Sequence, residues 1–394
     1  MKGKYKVLFV AEELSRNGAM KSLIALLKAL NPEKYSLSLF LFCHNKGELR
    51  EQLPDYVDVL PEFKTYRMIR LSLREALCES LRAGRVDLAC IRLMVACQRY
   101  IKAGFSLWPL MPKIPGNYDV VCSYADGFVA PLILKKVKAR KTACWIHYLY
   151  SCVPQPEYVY NALRRCSVCV PVSFEAGKAL DSVLGCYVHK HIIHNITDKE
   201  ECNYLANMPN EFPHIEGILR IVSIGRVTDA KHFDIIPAIA LLLKNQGLQF
   251  EWIIAGSGDK LLEIQEEVSR LNLNMEVKMV GELANPFPLV KSADIIVNPS
   301  RHESWGMTVS EALCLGKAVI TSDIPVFAEQ IADGDNGLIR KASPVLMAQA
   351  ICEIAENENL RKKLETNAVK YPFTKTMVVN EFDALVESLL TSEE

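Results

Sequence analysis

Residues 293–323 read ADIIVNPSRHESWGMTVSEALCLGKAVITSD. The apolar run at 293–298 predicts a strand, and the stretch that begins after Gly306 predicts a helix that ends before Gly316. A second apolar run, 318–322, predicts another strand. Glycine permits the tight turn before the helix and the left-handed residue that ends it. A strand, a helix and a strand in this order are typical of a parallel α/β sheet.

The same alternation of short apolar strands and helical segments extends over both halves of the chain. Strands are predicted at 5–11, 35–43, 118–124, 141–147, 167–173, 190–194, 219–225, 250–255, 275–280, 293–298 and 318–322. A polar, proline-containing stretch interrupts the alternation in the middle. We therefore predict an α/β protein with two Rossmann-like, doubly wound domains that face each other across a cleft, where the carboxyl ends of the strands would bind ligands.

The alternation also sets the predicted domain boundaries. The first domain is expected over residues 1–196 and the second over 218–372. The polar stretch 197–217 is the predicted linker. Residues 373–394 have apolar positions at helical spacing and predict a terminal helix, which would pack back on the first domain.

Composition indicates a folded globular protein, because half of the 394 residues are hydrophobic. No apolar stretch approaches the ~18 residues of a membrane span, and the first strand does not resemble a signal peptide. The 13 cysteines, without a secretory signal, predict free thiols in a reducing cytosol. The net charge is zero, but residues 1–196 carry 28 Lys+Arg against 16 Asp+Glu. This basic half would suit anionic lipid, a phosphorylated acceptor or nucleic acid, or would only complement the acidic half.

One basic segment of the first half departs from the strand–helix alternation. Residues 64–113 have helical periodicity and carry 10 Lys+Arg against 3 Asp+Glu. Apolar and arginine positions interleave as they do on amphipathic helices that lie on a membrane surface. The alternative is a helical insert that packs on the domain and keeps its arginines in water.

Two glutamates flank the turn inside the opening stretch. Glu303 precedes the turn, and Glu311 lies about one turn inside the helix. The backbone N–H groups of Gly306, Met307 and Thr308 would be free at the helix N-terminus, where they favour phosphate. A carboxylate at Glu311 can accept hydrogen bonds from a vicinal diol such as a ribose. Alternatively, the two glutamates bind no ligand: they only lie on the surface and complement the helix dipole.

Two cations follow the first strand of the second half. The stretch IVSIGRVTDAKHFD, residues 221–234, ends its strand with Gly225 and Arg226 and places Lys231 at the opening of the next helix. Arginine binds phosphate oxygens through paired hydrogen bonds, and lysine acts as a point charge. The pair therefore suits a diphosphate.

A glycine-containing loop follows the next strand in the same way. Residues 252–260 read WIIAGSGDK and place Gly256 between a strand and a helix. A lone GxG is weak evidence for a nucleotide-binding loop, because ordinary strand-to-helix turns share this pattern. No GxGxxG follows the first strand of the chain, which argues against a dinucleotide-dependent dehydrogenase.

These stretches together resemble the donor-binding signature of a known family. GRVTDAK, AGSGD and ESWGMTVSEALCLGKAVITSD resemble the retaining glycosyltransferases of the GT-B fold, family 4 (glycosyl transferases group 1), of the polysaccharide type. The family's Glu-x7-Glu pattern is matched by Glu303 and Glu311. In the first domain, AEELSRNGAMKSL (11–23) resembles the family's glycine-rich loop, and WIHYLY (145–150) its strand-end histidine.

The resemblance implies a role for each matched residue. Arg226 and Lys231 would hold the donor diphosphate, Glu303 would contact the transferred sugar, Glu311 would bind the ribose, and His147 would orient the sugar or stabilise charge. The remaining donor-binding positions are Gly18, Ala19, Gly225, Gly256, Gly281, Gly306, Met307 and Thr308.

The implied activity is transfer of a sugar, with retention, from a UDP- or GDP-sugar to a lipid-linked or polysaccharide acceptor of cell-surface glycan synthesis. No cofactor and no metal are expected. The implied partners are the nucleotide sugar and the glycan acceptor, with no nucleic acid. The expected location is the cytoplasm, with peripheral contact to an anionic membrane through residues 64–113. A sugar-nucleotide epimerase, a sugar phosphorylase and a non-catalytic nucleotide-sugar-binding partner remain as alternatives.

Two metal-like patterns are interpreted as structural. Asp333 and Asp335 form a DxD in QIADGDNGLI, which reads as a turn. Cys166 and Cys169 form a CxxC with histidines downstream, but both lie in or beside an apolar strand and no second CxxC accompanies them. We expect these two cysteines to pack in the core and not to bind zinc.

Overall fold

The computed structural model of the protein describes residues 3–44, 47–101, 108–186 and 188–391. Residues 1–2, 45–46 and 187 of the predicted first domain, residues 102–107 of its basic segment and residues 392–394 of the predicted terminal helix therefore lie outside the described residues. The chain forms two compact units. Unit 1 comprises Met1–Val172, Ala176–Ile193 and Thr376–Glu394, and unit 2 comprises Ser173–Glu175 and His194–Lys375.

Each unit is built on a six-stranded sheet in which all paired strands are parallel. The strands are β1 Tyr5–Ala11, β2 Tyr35–Leu41, β3 Asp58–Val59, β4 Tyr118–Ser123, β5 Ala139–Ile146, β6 Val168–Pro171, β7 Leu219–Ile224, β8 Phe250–Ala255, β9 Val277–Gly281, β10 Ile295–Asn298, β11 Ala318–Ser322 and β12 Leu338–Arg340. Their order is β3-β2-β1-β4-β5-β6 in unit 1 and β12-β11-β10-β7-β8-β9 in unit 2. This topology confirms the predicted α/β fold with two Rossmann-like sheets.

Helices connect the strands. They are α1 Gly18–Ala29, α2 Lys64–Arg70, α3 Leu73–Arg82, α4 Val86–Ile101, α5 Val129–Lys136, α6 Glu157–Leu163, α7 Phe174–Leu184, α8 Lys199–Ala206, α9 Ile236–Asn245, α10 Leu261–Arg270, α11 Phe287–Ser292, α12 Met307–Cys314, α13 Pro344–Glu356, α14 Glu358–Ala368 and α15 Lys375–Thr391. Within the described residues, no helix is both long enough and apolar enough to span a membrane.

The predicted strands differ from the structure at three places. Residues 190–194 are not a strand, because Lys190 makes only an isolated bridge with Cys169. The strands β3 and β12 are absent from the prediction, since their two and three residues are too short to show a periodicity. The predicted helix after Gly306 is confirmed as α12.

The predicted linker, 197–217, contains helix α8. Asp198 caps it by accepting hydrogen bonds from the N–H groups of Glu200 and Glu201, at 3.0 and 3.1 Å. The cap satisfies amides that a helix end leaves without partners. Cys202 and Ala206 pack with Phe287 in a small apolar cluster, so the polar composition of this stretch conceals one buried face.

The terminal helix α15 packs within unit 1. The Phe382 ring stacks on Phe9 of β1, with centroids 5.9 Å apart and an interplanar angle of 24°. The Tyr35 hydroxyl donates to the Asp383 carboxylate at 2.6 Å, and the Lys34 ammonium lies 2.8 Å from the same carboxylate. Helix α15 thus helps to bury β1, whose residues 7–11 are fully buried, as is usual for a central strand of a parallel sheet.

Unit 2 is anchored by a buried ion pair at the start of its central strand. The Arg220 guanidinium, 1% exposed, donates to the Glu251 carboxylate of β8 at 2.7 Å. Burial opposes ionisation of Glu251, but hydrogen bonds from Arg220 and Lys278 outweigh it, so the pKa of this carboxyl lies below its ordinary value. The pair joins β7 to β8 at the end of the sheet opposite to the predicted ligand-binding loops.

Candidate functional site

Three glycines align the carboxyl ends of β7, β8 and β9 in unit 2. The Gly225 N–H donates to the Ala255 carbonyl at 3.0 Å, and the Gly256 N–H donates to the Gly281 carbonyl at 2.7 Å. A Cβ atom on Gly256 would lie 1.8 Å from the Gly225 carbonyl oxygen. Only glycine permits two backbones to approach this closely. The predicted positions Gly225, Gly256 and Gly281 thus lie side by side.

Lys231 lies over the end of β7. It ends a short 3-10 turn, Asp229–Lys231, and a Cβ atom built on Gly225 would lie 3.2 Å from its Cε atom. Its ammonium forms a salt bridge with the Glu303 carboxylate. Both side chains are mostly buried, at 17% and 12% exposure, so water screens the pair only partly.

Glu303 is held in place from the loop after β10. The Ser300 hydroxyl lies 3.0 Å from the same Glu303 carboxylate oxygen that meets Lys231, and 2.6 Å from the Asn298 side-chain oxygen. These contacts fix the carboxylate where the loop leaves the strand. The structure therefore brings together Lys231 and Glu303, which the sequence places 72 residues apart.

Helix α12 begins beside the same strand ends. Gly306, its N-cap, has a φ of 90°, and a Cβ atom there would lie 2.8 Å from the Phe327 ring. The Thr308 hydroxyl donates to the Ile224 carbonyl of β7 at 3.3 Å. The amides of Met307 and Thr308 are in the first helical turn, where no intrahelical acceptor is available. The helix N-terminus and Lys231 thus both adjoin the end of β7.

The two other predicted side chains of unit 2 differ in exposure. Arg226 follows Gly225 directly and is exposed, and its guanidinium has no partner within the described ranges. Glu311 lies on α12 and is only 7% exposed. Arg226 is therefore available for an anion, whereas Glu311 is part of the packed face of its helix.

His147 follows β5 in unit 1 and is 8% exposed. Its ring lies 4.9 Å, centroid to centroid, from that of Tyr124, and neither ring nitrogen has a hydrogen-bond partner among the residues that the structure describes. Burial lowers the pKa of His147 to about 3. The imidazole is therefore neutral near pH 7.

Asp126, which the sequence analysis missed, positions His147. Its carboxylate accepts the His147 backbone N–H at 3.1 Å and the Tyr150 hydroxyl at 2.8 Å. Burial raises the pKa of Asp126 to about 7, although these hydrogen bonds oppose the rise. The available signal was an acidic residue two positions after the predicted strand 118–124, in the sequence SYADG.

Gly18 and Ala19 open helix α1 at the carboxyl end of β1. Asn17 caps this helix, and its side-chain oxygen accepts the Met20 N–H at 2.9 Å. The predicted glycine-rich loop therefore ends before Gly18, which lies in the first helical turn. The Tyr124 hydroxyl lies 3.3 Å from that of Ser22 on α1, so Tyr124 connects this helix to His147.

In the two metal-like patterns, the DxD and the CxxC, Asp333 and Cys169 make contacts that stabilise the fold. Asp333 accepts the Ile339 N–H and the Arg340 guanidinium, both at 2.9 Å, and so closes the turn before β12. Cys169 is fully buried in the core of unit 1. Across the described ranges, no group of three His, Cys, Asp or Glu side chains is placed to hold a metal ion.

The glycine alignment generates a prediction about Gly256→Ala. The new methyl group would meet the Gly225 carbonyl, and the φ of +147° at this position is rarely adopted by alanine. We expect destabilisation of about 2–5 kcal/mol in urea unfolding, from overpacking and backbone strain together. Gly247→Ala is the control, because its φ is +80° but nothing lies within 4 Å. It should cost only about 1–2 kcal/mol, and equal effects for the two variants would contradict the close approach.

The raised pKa of Asp126 predicts how stability depends on pH. Between its ordinary value of 3.8 and about 7, the carboxyl is protonated in the folded protein and ionised in the unfolded chain. Its contribution to the free energy of unfolding therefore falls as pH rises through this interval. Asp126→Asn should remove this fall, which urea unfolding of both proteins across the interval would measure. Parallel pH profiles for the two proteins would contradict the raised pKa.

Comparison with known proteins finds a family match in the second half of the chain. Residues 207–371 match the family model of glycosyl transferases group 1. The O-antigen biosynthesis glycosyltransferase WclY of Escherichia coli is 32% identical over 142 residues, which cover 36% of this chain and 39% of that protein. The alpha-D-kanosaminyltransferase of Streptomyces kanamyceticus is 23% identical over 159 residues, 39% of this chain and 41% of that protein. The chain thus aligns with about two fifths of the length of these relatives.

Solved structures match over nearly the whole chain. HepE of Anabaena, in complex with UDP and glucose, has a TM-score of 0.69 at 18% identity and covers 98% of this chain and 100% of its own. A sucrose-phosphate synthase of Thermosynechococcus elongatus has a TM-score of 0.70 at 15% identity, with 99% and 100% covered. At these identities the likeness establishes the GT-B fold alone. The chain thus matches the glycosyl transferases group 1 model over residues 207–371 and has the GT-B fold over nearly its whole length.

Proposed function

We propose that the protein is a retaining glycosyltransferase of family 4. It transfers a sugar from a UDP- or GDP-sugar to a lipid-linked or polysaccharide acceptor in cell-surface glycan synthesis. The observation that carries the proposal is the meeting of Lys231, Glu303 and the N-terminus of α12 at the end of β7. The O-antigen function of WclY and the UDP bound to HepE support the acceptor and donor classes.

Unit 2 binds the donor in this proposal. The Lys231 ammonium and the exposed Arg226 guanidinium neutralise the diphosphate, and the first amides of α12 donate to its oxygens. Glu311, further along α12, accepts hydrogen bonds from the ribose. Glu303 keeps Lys231 in position and contacts the hydroxyl groups of the transferred sugar.

The reaction breaks the bond between the anomeric carbon and the β-phosphate oxygen. The acceptor oxygen then forms a bond to that carbon on the same face, and the acceptor proton moves to the departing phosphate. Negative charge grows on the phosphate, next to Lys231 and Arg226. Preorganised charges of this kind are commonly the largest contribution to catalysis. As proposed, the reaction requires neither a metal nor a protein nucleophile.

A panel of UDP-, GDP- and ADP-sugars tests the donor proposal through turnover or slow hydrolysis. Lys231→Ala is expected to lower kcat about 100- to 1,000-fold, because a charge next to the leaving phosphate is lost. Glu311→Ala should mainly raise KM for the donor, since ribose binding does not change during the reaction. The matched control is Lys244→Ala, which removes an exposed lysine of α9 that pairs with Glu276. It should leave both constants unchanged.

The outcomes of this panel separate the alternatives. A sugar phosphate or an epimerised nucleotide sugar as product would replace the proposal with a phosphorylase or an epimerase. Donor binding without turnover would indicate a non-catalytic partner. Turnover that neither Lys231→Ala nor Glu311→Ala alters would place the reaction elsewhere and overturn the proposal.

We also propose that helix α3 contacts an anionic membrane, where a lipid-linked acceptor would reside. The inner face of the helical segment is packed, with Met68, Leu71 and Ala76 in a buried cluster. Its outer face exposes Leu73 and Leu77 by about half, and Leu81 by 68%. Residues four apart share one face of a helix, so the three leucines form a stripe.

The charges beside this leucine stripe favour anionic lipid. Arg74 and Arg82 of α3 are exposed, and neither forms a salt bridge within the described part of the chain. In contrast, Arg67 and Arg70 of α2 form salt bridges with glutamates of unit 1. An exposed apolar stripe flanked by two arginines that form no salt bridge with described residues suits the interface of an anionic membrane.

Flotation with phosphatidylglycerol vesicles tests this contact. We expect binding that weakens as salt rises, and a loss of binding in the Leu77→Glu, Leu81→Glu double variant. Leu262→Glu is the control, because Leu262 of α10 is 72% exposed but belongs to unit 2. Absence of binding by the unsubstituted protein, or equal loss in the control, would exclude this role for α3.

A further inference from the structure

Two thiols of unit 1 lie in contact. Cys144 is on β5, and Cys166 is in the turn between α6 and β6. Their sulfur atoms are 2.9 Å apart. This separation is only about 0.9 Å longer than a disulfide bond, so a small local movement suffices to form one.

The backbone fixes Cys166 in this position. Its N–H group donates to the Ala162 carbonyl at 3.1 Å and to the Leu163 carbonyl at 3.3 Å. A third cysteine, Cys169, is the neighbour of Cys144 across the paired strands, but its thiol is directed at the Leu163 carbonyl, 3.8 Å away. Geometry therefore selects Cys166 over Cys169 as the partner of Cys144.

The two thiols differ in access to solvent. Cys144 is fully buried, whereas Cys166 is partly exposed. Burial raises the pKa of the Cys144 thiol well above its ordinary value, and the adjacent Cys166 raises it further. Because the thiolate is the reactive form, an oxidant from solvent reacts first with Cys166.

We propose that Cys144 and Cys166 form a reversible disulfide when the protein meets a peroxide. The Cys166 thiolate attacks the O–O bond, which gives a sulfenic acid and releases one water after protonation. The Cys144 sulfur then attacks the Cys166 sulfur, the S–S bond forms, and the sulfenic oxygen leaves as a second water. The two thiols lose two hydrogens, and the peroxide is reduced to two waters. The new bond ties β5, the strand that leads to His147, to the turn before β6.

Peptide mapping of the full chain after brief treatment with hydrogen peroxide tests the proposal. Trypsin without reductant would yield 142–164, which contains Cys144 and Cys152, and 166–178, which contains Cys166 and Cys169. We expect these two peptides to be joined, and a reductant to separate them.

Matched variants then assign the bond. Cys152→Ser and Cys169→Ser should keep the joined peptides, whereas Cys144→Ser and Cys166→Ser should lose them. In Cys144→Ser, a dimedone-type reagent should label Cys166 as the trapped sulfenic acid. Joined peptides that require Cys152 or Cys169 would overturn the proposal. The proposal would also be overturned if peroxide treatment of the unsubstituted protein left the two peptides separate. This measurement does not depend on the folding of any variant.

Discussion

The close approach of two backbones at Gly225 and Gly256 is the constraint on which the candidate donor site depends. It aligns the ends of β7, β8 and β9 without side chains between them. The space above Gly225 is then filled by the aliphatic part of Lys231, whose ammonium reaches Glu303 from the loop after β10. The adjoining N-terminus of α12 is joined to β7 through Thr308. Lys231 from the loop after β7 and Glu303 from the loop after β10 thus meet beside these aligned strand ends.

Burial has opposite effects on the charged groups of the two units. In unit 2, Lys231 and Glu303 remain together as a mostly buried ion pair, with the exposed Arg226 adding positive charge at the same strand end. In unit 1, burial holds His147 neutral and shifts the pKa of Asp126 toward neutrality. Away from water, weak screening strengthens the attraction between two opposite charges. A buried group without an opposite charge nearby instead favours its neutral form. Unit 2 therefore presents the positive charge of Arg226 beside these strand ends, whereas unit 1 presents a neutral imidazole after β5.

The predicted site residues of unit 2 were accessible from the sequence because each follows a strand that its apolar pattern reveals. Gly225, Gly256 and Glu303 are examples. Asp126 was missed because its partners, the His147 amide and the Tyr150 hydroxyl, lie more than 20 residues further along the chain. The short strands β3 and β12 were missed for a related reason: they are defined by pairing with a neighbour, and not by their own pattern.

The sequence by itself determined the alternation of strands and helices, the glycines at the strand ends and the start of α12, because these depend on neighbouring residues. Tertiary structure decided which loops meet, as with Lys231 and Glu303, and which titratable groups are buried, as with His147. It also decided that Cys144 would contact Cys166 and not the cysteine paired with it across the sheet. Strand order and burial arise from the packing of distant segments, and no local pattern in the chain encodes them.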